Sequence, residues 1–429
     1  MLRKVAVSLG DQAIVSATNF ATSVVLGKCC DNESLGVYYL ALSVAYFIRG
    51  LQEQLIAAPY MIYANKCEPA RLPRYSGSVL VHELVLMLVT CGIISGSAWW
   101  VADGSELGRV LWILAGAAPL MLVREFARQF SFARMNLASA MALDTTVGIL
   151  QIAVLLALAG TGTLTTSTAF LAIALSVALP TLCWLTFWRG TFQASPTATI
   201  EDARQNWTFG KWAVASTLLA CIASYTLPWV LKFYDGEGAA GILGAATTLA
   251  GLANMFVLGM SNFFAPRAAR AYATGGVSSL RTVLLKAAAL YSVVLGPLVI
   301  CALLAGDQVM RLVYRDGLDG AGQIIAVLAL GQWINSIGIT AGNGLWAIER
   351  PAANFAADAV NLAATFAITV LLLLVGWLDP LGAAAATVAG LAVGAIARTL
   401  ILLRHLKGLE SAGTSRDNNG SPTAESCPC

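Results

Sequence analysis

Charge is what this chain has least of. Only 11% of its 429 residues are Asp, Glu, Lys or Arg, while 58% are hydrophobic; soluble domains carry about 25% charge. That shortage excludes a water-soluble globular protein. The net charge of +3 says little by itself, and no nucleic-acid partner is expected from it. Histidine is nearly missing: His82 and His405 are the two, and no cysteine stands at zinc-ligand spacing from either. The nine cysteines are scattered, with Cys29 and Cys30 vicinal. A closing Cys-Pro-Cys imitates a prenylation signal, which a chain already held in a bilayer does not need. There is no Walker loop, nucleotide fold, catalytic triad or metal cluster, so neither an enzyme nor a bound cofactor is expected. Energy for any transport must come from gradients or from the substrate's own concentration difference.

What fills the sequence instead is apolar windows of about twenty residues, the length that crosses a hydrocarbon slab about 30 Å thick. Mean hydropathy is +0.74. Twelve spans can be read, near 8–27, 35–58, 79–101, 108–130, 137–159, 168–188, 208–232, 240–265, 282–304, 319–345, 353–377 and 381–403. The fold class is therefore an all-α polytopic membrane bundle. The first span is the weakest, because Asp11, Gln12 and Asn19 interrupt it. No small-residue cleavage site follows it, so it reads as a retained helix rather than a signal peptide.

Basic residues fix the expected orientation. With the N-terminus inside, 20 of the 26 Lys and Arg fall on cytoplasmic segments and adjoining helix ends, five fall outside, and Arg49 lies in mid-membrane. Both termini are then cytoplasmic. The outer connections are short and rather acidic, with Asp31, Glu33, Glu106 and Asp379 among them, and none is long enough for a soluble domain.

The chain also repeats itself. Gly36 in LGVYYLALS and Gly241 in AGILGAATT each open an inward-running helix, and each helix meets a proline at its inner end, Pro59 and Pro266. Arg134 and Asp144 recur as Arg350 and Asp358. These landmarks divide the chain into a six-helix bundle at 1–188, a cytoplasmic linker at 189–207, a second six-helix bundle at 208–404 and a disordered tail at 405–429. An even number of helices per half gives both the same orientation, related by a pseudo-twofold along the membrane normal. Transporters built this way hold their substrate between the halves near the midplane. Gly390 and Gly394 form a small-xxx-small pair suited to close helix packing.

Arg49 and Glu53 stand out on physical grounds. Arg49 lies roughly 21 Å beyond Leu35 along a helix, near the slab centre. An ionised side chain there costs at least about 2.5–3.5 kcal/mol if it faces lipid. The pair is either a neutralised i,i+4 ion pair or part of a polar pathway.

Beyond these readings, the opening LGDQAIVSATNFATSVVLGK, then ESLGVYYLALS and LQEQLIAAPYMIY, resembles the polysaccharide-exporter (O-unit flippase) branch of the superfamily that also holds the multidrug and toxin extrusion transporters. FGKWAVASTLLACIASYTLPWVLKFY, GAAGILGAATTLAGLANMF and NFFAPRAARAYATGG look like the matching region of the second half. The resemblance covers most of 1–404 through degenerate motifs. It implies a twelve-helix, V-shaped protein of the bacterial plasma membrane that moves a lipid-linked oligosaccharide by alternating access, for envelope polysaccharide synthesis.

Read by themselves, the mid-depth polar residues fit a wet cleft: Asn19 in the first span, Arg49, Gln52 and Glu53 in the second, Asn254 and Asn262 in the eighth, Gln332 and Asn335 in the tenth. Amides bond hydroxyls and Arg forks onto phosphate oxygens, which suits a sugar chain capped by a diphosphate. Each amide alone is equally explained by helix packing. Arg124 and Arg128 sit where a lipid diphosphate would arrive from the cytoplasmic leaflet, and also where positive-inside anchoring would put them. The family uses basic cavity residues, whereas this chain has few cations deep in the membrane. Asp144 and Asp358 could bind a coupling proton or sodium, as could Glu53, or could brace helix ends against arginines. Two other functions compete: a cation-coupled exporter of small drugs or metabolites, and a membrane glycosyltransferase, ligase or polymerase. The enzymes would need substantial catalytic loops that this chain lacks.

Overall fold

The computed structural model describes residues 2–64, 67–101, 104–134, 136–193, 195–314 and 320–418, and no strand occurs among them. Twelve rods follow one another. They are α1 (Leu2–Cys29), α2 (Asn32–Tyr63), α3 (Leu72–Val101), α4 (Glu106–Ala133), α5 (Leu137–Gly160), α6 (Thr166–Trp188) and α7 (Pro196–Asp235). A continuous stretch Glu237–Val313 then carries two rods, α8 (237–274) and α9 (277–313). The last three are α10 (Ala321–Ala347), α11 (Pro351–Val375) and α12 (Pro380–Asn418). Ten helices are long and apolar enough to cross a membrane, counting Glu237–Val313 once. Its 77 residues would reach well over 100 Å as a single helix. Gly275 and Gly276 break it instead, Gly276 at φ 61°, a left-handed conformation that costs glycine nothing. Helix α1 is not among the ten, in keeping with its interrupting polar residues.

Local chemistry sets many of the ends. Asp31 Oδ1 accepts from Ser34 N at 2.7 Å, Ser105 Oγ from Gly108 N at 3.1 Å, and Thr165 and Thr168 close a reciprocal capping box. Gly376, left-handed at φ 79°, ends α11. Two expected irregular stretches are more ordered than the sequence suggested. In the linker, a 3-10 turn at Arg189–Thr191 leads to a helix that starts on Pro196, a residue whose fixed φ suits a first turn. That helix lies against α3 through Arg71–Asp202 at 3.2 Å, Tyr75–Asn206 at 3.0 Å and His82 Nε2 donating to Thr199 O at 2.9 Å. The tail expected from 405 is helical to Asn418, because Leu406, Lys407, Leu409 and Glu410 continue the helix-forming run of α12. Residues 419–429 lie outside the described ones.

The chain packs as two compact units. One comprises Met1–Thr248, Asp307–Ala321 and Leu378–Ala383; the other comprises Leu249–Gly306, Gly322–Trp377 and Ala384–Cys429. In the first, Tyr60 stacks between Tyr75 and Phe130 (ring centroids 5.8 and 5.7 Å) in a core with Phe126, Val147 and Trp184. In the second, Leu280, Leu284, Leu345 and Leu402 form one core cluster and Val257, Tyr291 and Leu295 another. The large side chains left exposed are apolar: Leu88, Leu175, Phe187, Leu304 and Leu374, with Trp99, Trp100 and Trp377 near helix ends. An exterior of this kind is the signature of a bilayer surround, with tryptophans at the headgroup level.

One crossing is closer than any side chain would allow. A Cβ on Gly36 would overlap the carbonyl of Glu237, and a Cβ on Gly241 would overlap the carbonyl of Asn32. Each glycine thus meets the carbonyl four residues before the other, a reciprocal contact between residues matched at the repeat offset. Beside it, Ser23 Oγ lies 2.8 Å from Tyr314 Oη and also bonds Tyr39 Oη, which accepts from Thr248 Oγ1 at 3.0 Å. Gly27 and Gly244 make room for the rings of Tyr314 and Tyr39. In the second unit, Gly390 and Gly394 receive Thr365 and Asn361 of α11, the close packing expected of that pair.

Candidate functional site

The polar interior of the first unit is organised around the middle of α2. Its helix runs regularly from Asn32 to Gln52, widens into a π-turn over Glu53–Ala57, and resumes at Ala58–Tyr63. π-turns recur at functional sites because they re-aim side chains within a helix. Arg49 does not pair with Glu53. It reaches across to Glu125 of α4, Nε to Oε2 at 3.7 Å, while Glu53 is exposed. The buried carboxylate attracts the guanidinium more strongly than an exposed one already solvated by its surroundings.

From Glu125 the charges run on inward. Arg128 lies 3.5 Å from Glu125, bonds Asp11 Oδ2 at 2.8 Å through Nη2, and approaches Asp144 Oδ2 at 2.7 Å through Nε. The last contact is an ion pair without hydrogen-bond alignment, since Oδ2 of Asp144 accepts no hydrogen bond. Arg124 bonds Asp144 Oδ1 through Nε and Nη2, at 3.0 and 2.6 Å. Arg128 also donates to Gln12 Oε1 at 3.2 Å and lies over the Phe132 ring. Three carboxylates, Asp11, Glu125 and Asp144, therefore balance three guanidiniums, Arg49, Arg124 and Arg128. Only Arg49 is appreciably open, with 41% of its side chain exposed against 7% for Arg128 and 22% for Arg124.

A cavity of about 70 Å³ opens beside this network, lined by Asn19, Tyr46, Arg49, Gln52, Arg124 and Gln151 among others. It has room for a few water molecules. Of the eight residues expected in a cleft, Asn19, Arg49 and Gln52 meet here. Glu53 does not line it. Asn254, Gln332 and Asn335 are half-buried in the second unit, where Gln332 Oε1 is buried without a hydrogen bond; the side chain of Asn262 lies outside the described residues. Asp144 and Asp358, matched in sequence, differ in surroundings: Asp144 is buried between two arginines, whereas Asp358 is half-exposed and bonds Arg398.

Sequence reasoning passed over two carboxylates. Glu125 is hidden between Arg124 and Arg128, whose charge invites a reading as headgroup entry or as anchoring and draws attention from the acid between them. Glu83 stands alone in GSVLVHELVLMLV, and a lone carboxylate in such a run is itself a signal. It is fully buried, and its Oε1 accepts from Gln52 Nε2 at 2.7 Å.

No protein-family model and no curated protein matches the chain. Solved structures do. An inward-facing multidrug resistance MATE family transporter of the MOP superfamily superposes with a TM-score of 0.76 at 16% identity, covering 94% of this chain and 99% of that one. The lipid II flippase MurJ in an inward closed conformation gives 0.73 at 13% identity, covering 95% and 93%. A MOP superfamily transporter from Pyrococcus furiosus gives 0.62 at 16% identity, covering 95% and 96%. The chain thus has the fold of the MATE-like transporters of the MOP superfamily and is a multi-pass membrane protein.

Proposed function

We propose that this protein is a flippase that moves a lipid-linked oligosaccharide or polysaccharide precursor across the bacterial plasma membrane by alternating access, for envelope polysaccharide synthesis. Its termini are cytoplasmic, as the distribution of Lys and Arg favours. The observation that carries the reading is Arg49: a guanidinium midway along an apolar span, on a cavity, paired with Glu125 at 3.7 Å and with 41% of its side chain exposed. An arginine so placed can fork onto phosphate oxygens once a substrate displaces Glu125. Asn19 and Gln151 beside it offer amides to hydroxyls. A structural neighbour named as a lipid II flippase supports transport of a lipid-borne sugar on this fold.

The test is Arg49→Ala. A half-exposed ion pair at 3.7 Å contributes no more than about 1 kcal/mol, so membrane abundance should stay at the wild-type level while surface polysaccharide is lost. Loss of the protein itself would make Arg49 a structural residue. The neighbours named as multidrug transporters favour a second reading, cation-coupled export of small molecules. A deletion strain separates the two. Lipid-linked oligosaccharide accumulating on the inner leaflet supports the flippase, whereas drug sensitivity with normal surface polysaccharide supports the exporter.

A further inference from the structure

Gln52 and Glu83 leave two oxygens unaccounted for. Gln52 Nε2 donates to Glu83 Oε1 and to Leu122 O, both at 2.7 Å, which uses both amide hydrogens. Gln52 Oε1 and Glu83 Oε2 are then buried with no hydrogen bond at all. Both are acceptors if Glu83 is ionised, and two buried acceptors without a donor are strongly disfavoured. One proton resolves the whole set. A carboxylic acid and a carboxamide pair in a ring, amide N–H to acid carbonyl and acid O–H to amide carbonyl; the first of these bonds is present, and the two orphaned oxygens are the groups the second would join. We infer that Glu83 is a proton-binding site, held as a neutral acid by Gln52 of α2.

The surrounding charges agree. From α4, the Glu125 carboxylate repels a second negative charge. From α2, Arg49 is turned to Glu125. Arg124 and Arg128 are taken up by Asp144 and Asp11. Glu53, which opens the π-turn, is exposed. On α3 itself His82 is tied to Thr199 O of α7. Among the described residues no cation lies within ion-pair distance of Glu83.

The position gives the proton a mechanical consequence. Gln52 is the last residue before the π-turn, and α7 presses on that turn: a Cβ on Gly210 would lie 2.7 Å from Gln54 O, and one on Gly50 would lie 3.4 Å from Cys221 Sγ. Losing the proton opens the acid–amide ring, draws water toward Glu83 and loosens α2 from α7. Insofar as the chain is a transporter, a step that rests on the reading above, the coupling ion is a proton and α2 is the element that senses it.

The test needs no substrate. In full-length protein whose single cysteine is Cys221, thiol labelling is followed against pH in detergent. Labelling, divided at each pH by the rate for the denatured protein so that thiolate formation cancels, should be slow at low pH and rise several-fold as Glu83 ionises. Glu83→Gln, whose amide replaces the acid O–H as donor, should stay slow throughout. Glu53→Gln should behave as wild type, and Gln52→Leu should move the midpoint. Infrared spectroscopy of the wild type should show a protonated carboxyl at neutral pH that Glu83→Gln removes; if that variant does not fold, displacement of the band in Gln52→Leu serves instead. A wild type without the band, or a Glu83→Gln protein with undiminished pH dependence, overturns the assignment and leaves the flippase reading intact. Loss of the flippase reading would equally leave the proton site standing.

Discussion

Gly36→Ala is expected to lower the melting temperature of the purified protein sharply, and Gly241→Ala to do the same. In each case the new methyl group runs into a backbone carbonyl, Glu237 O or Asn32 O. Backbone has no rotamer through which to give way. Overpacking in a core usually costs about 1–3 kcal/mol, and a clash of main chain on main chain belongs at the upper end of that range or above it. The two helices must separate, and the separation reaches the neighbouring hydroxyl cluster of Ser23, Tyr39, Thr248 and Tyr314. Gly92→Ala and Gly96→Ala supply the contrast. Nothing lies within 4 Å of a Cβ at either position, and alanine favours a helix over glycine by about 1 kcal/mol. Differential scanning fluorimetry on the four variants checks this. Equal melting of all four would mean that the α2–α8 crossing has room for a methyl group at Gly36 and Gly241.

Arg128→Met is expected to be the most damaging single change in the ion network. It would leave Asp11 and Asp144, whose side chains are entirely buried, short of a cation each shares. Removing one partner of a buried pair costs about 3–5 kcal/mol, because the charge left behind is uncompensated. The protein should fail to accumulate in the membrane. Asp11→Asn placed on top of Arg128→Met should recover part of the loss by removing one of the stranded charges. Abundance measured by immunoblot across this cycle checks the coupling. Additive losses would show that Arg128 and Asp11 are independent. Arg49→Ala, a few turns away on α2, should be silent in the same assay, since its partner Glu125 keeps Arg128 and Gln129.

How far the fold could be read in advance follows from what hydropathy responds to. Among the described residues each expected span overlaps a helix, though the first is not apolar enough to count among the ten that could cross a membrane; the pair sharing Glu237–Val313 is separated because the Gly275–Gly276 break lies in a polar dip between two apolar windows. The helix at Pro196 was obscured because its early turns are polar and meet α3 through side-chain bonds rather than apolar area. Within the site, the cost of a charge in hydrocarbon picked out Arg49 but could not say which acid it chooses. An i,i+4 rule points to Glu53; burial points to Glu125, and burial is a tertiary property. The same limit applies to Asp144 and Asp358. Their matched positions suggested matched roles, yet one lies sealed between Arg124 and Arg128 and the other is half-open to its surroundings. Glu83 was legible in principle, as the lone acid of an apolar run. What no linear pattern reveals is that Gln52, on another helix, would meet it with an amide and no charge.

The meeting of Gly36 with Gly241 has a genetic corollary. Two copies of one protein that touch across a twofold axis present the same residue from both sides; here two glycines at different places in one chain each meet the main chain beside the other. Each glycine is opposed by main chain, not by the other glycine's absent side chain. No replacement at one position can therefore be rescued by a substitution at the other: sterics forbid a side chain at both addresses separately.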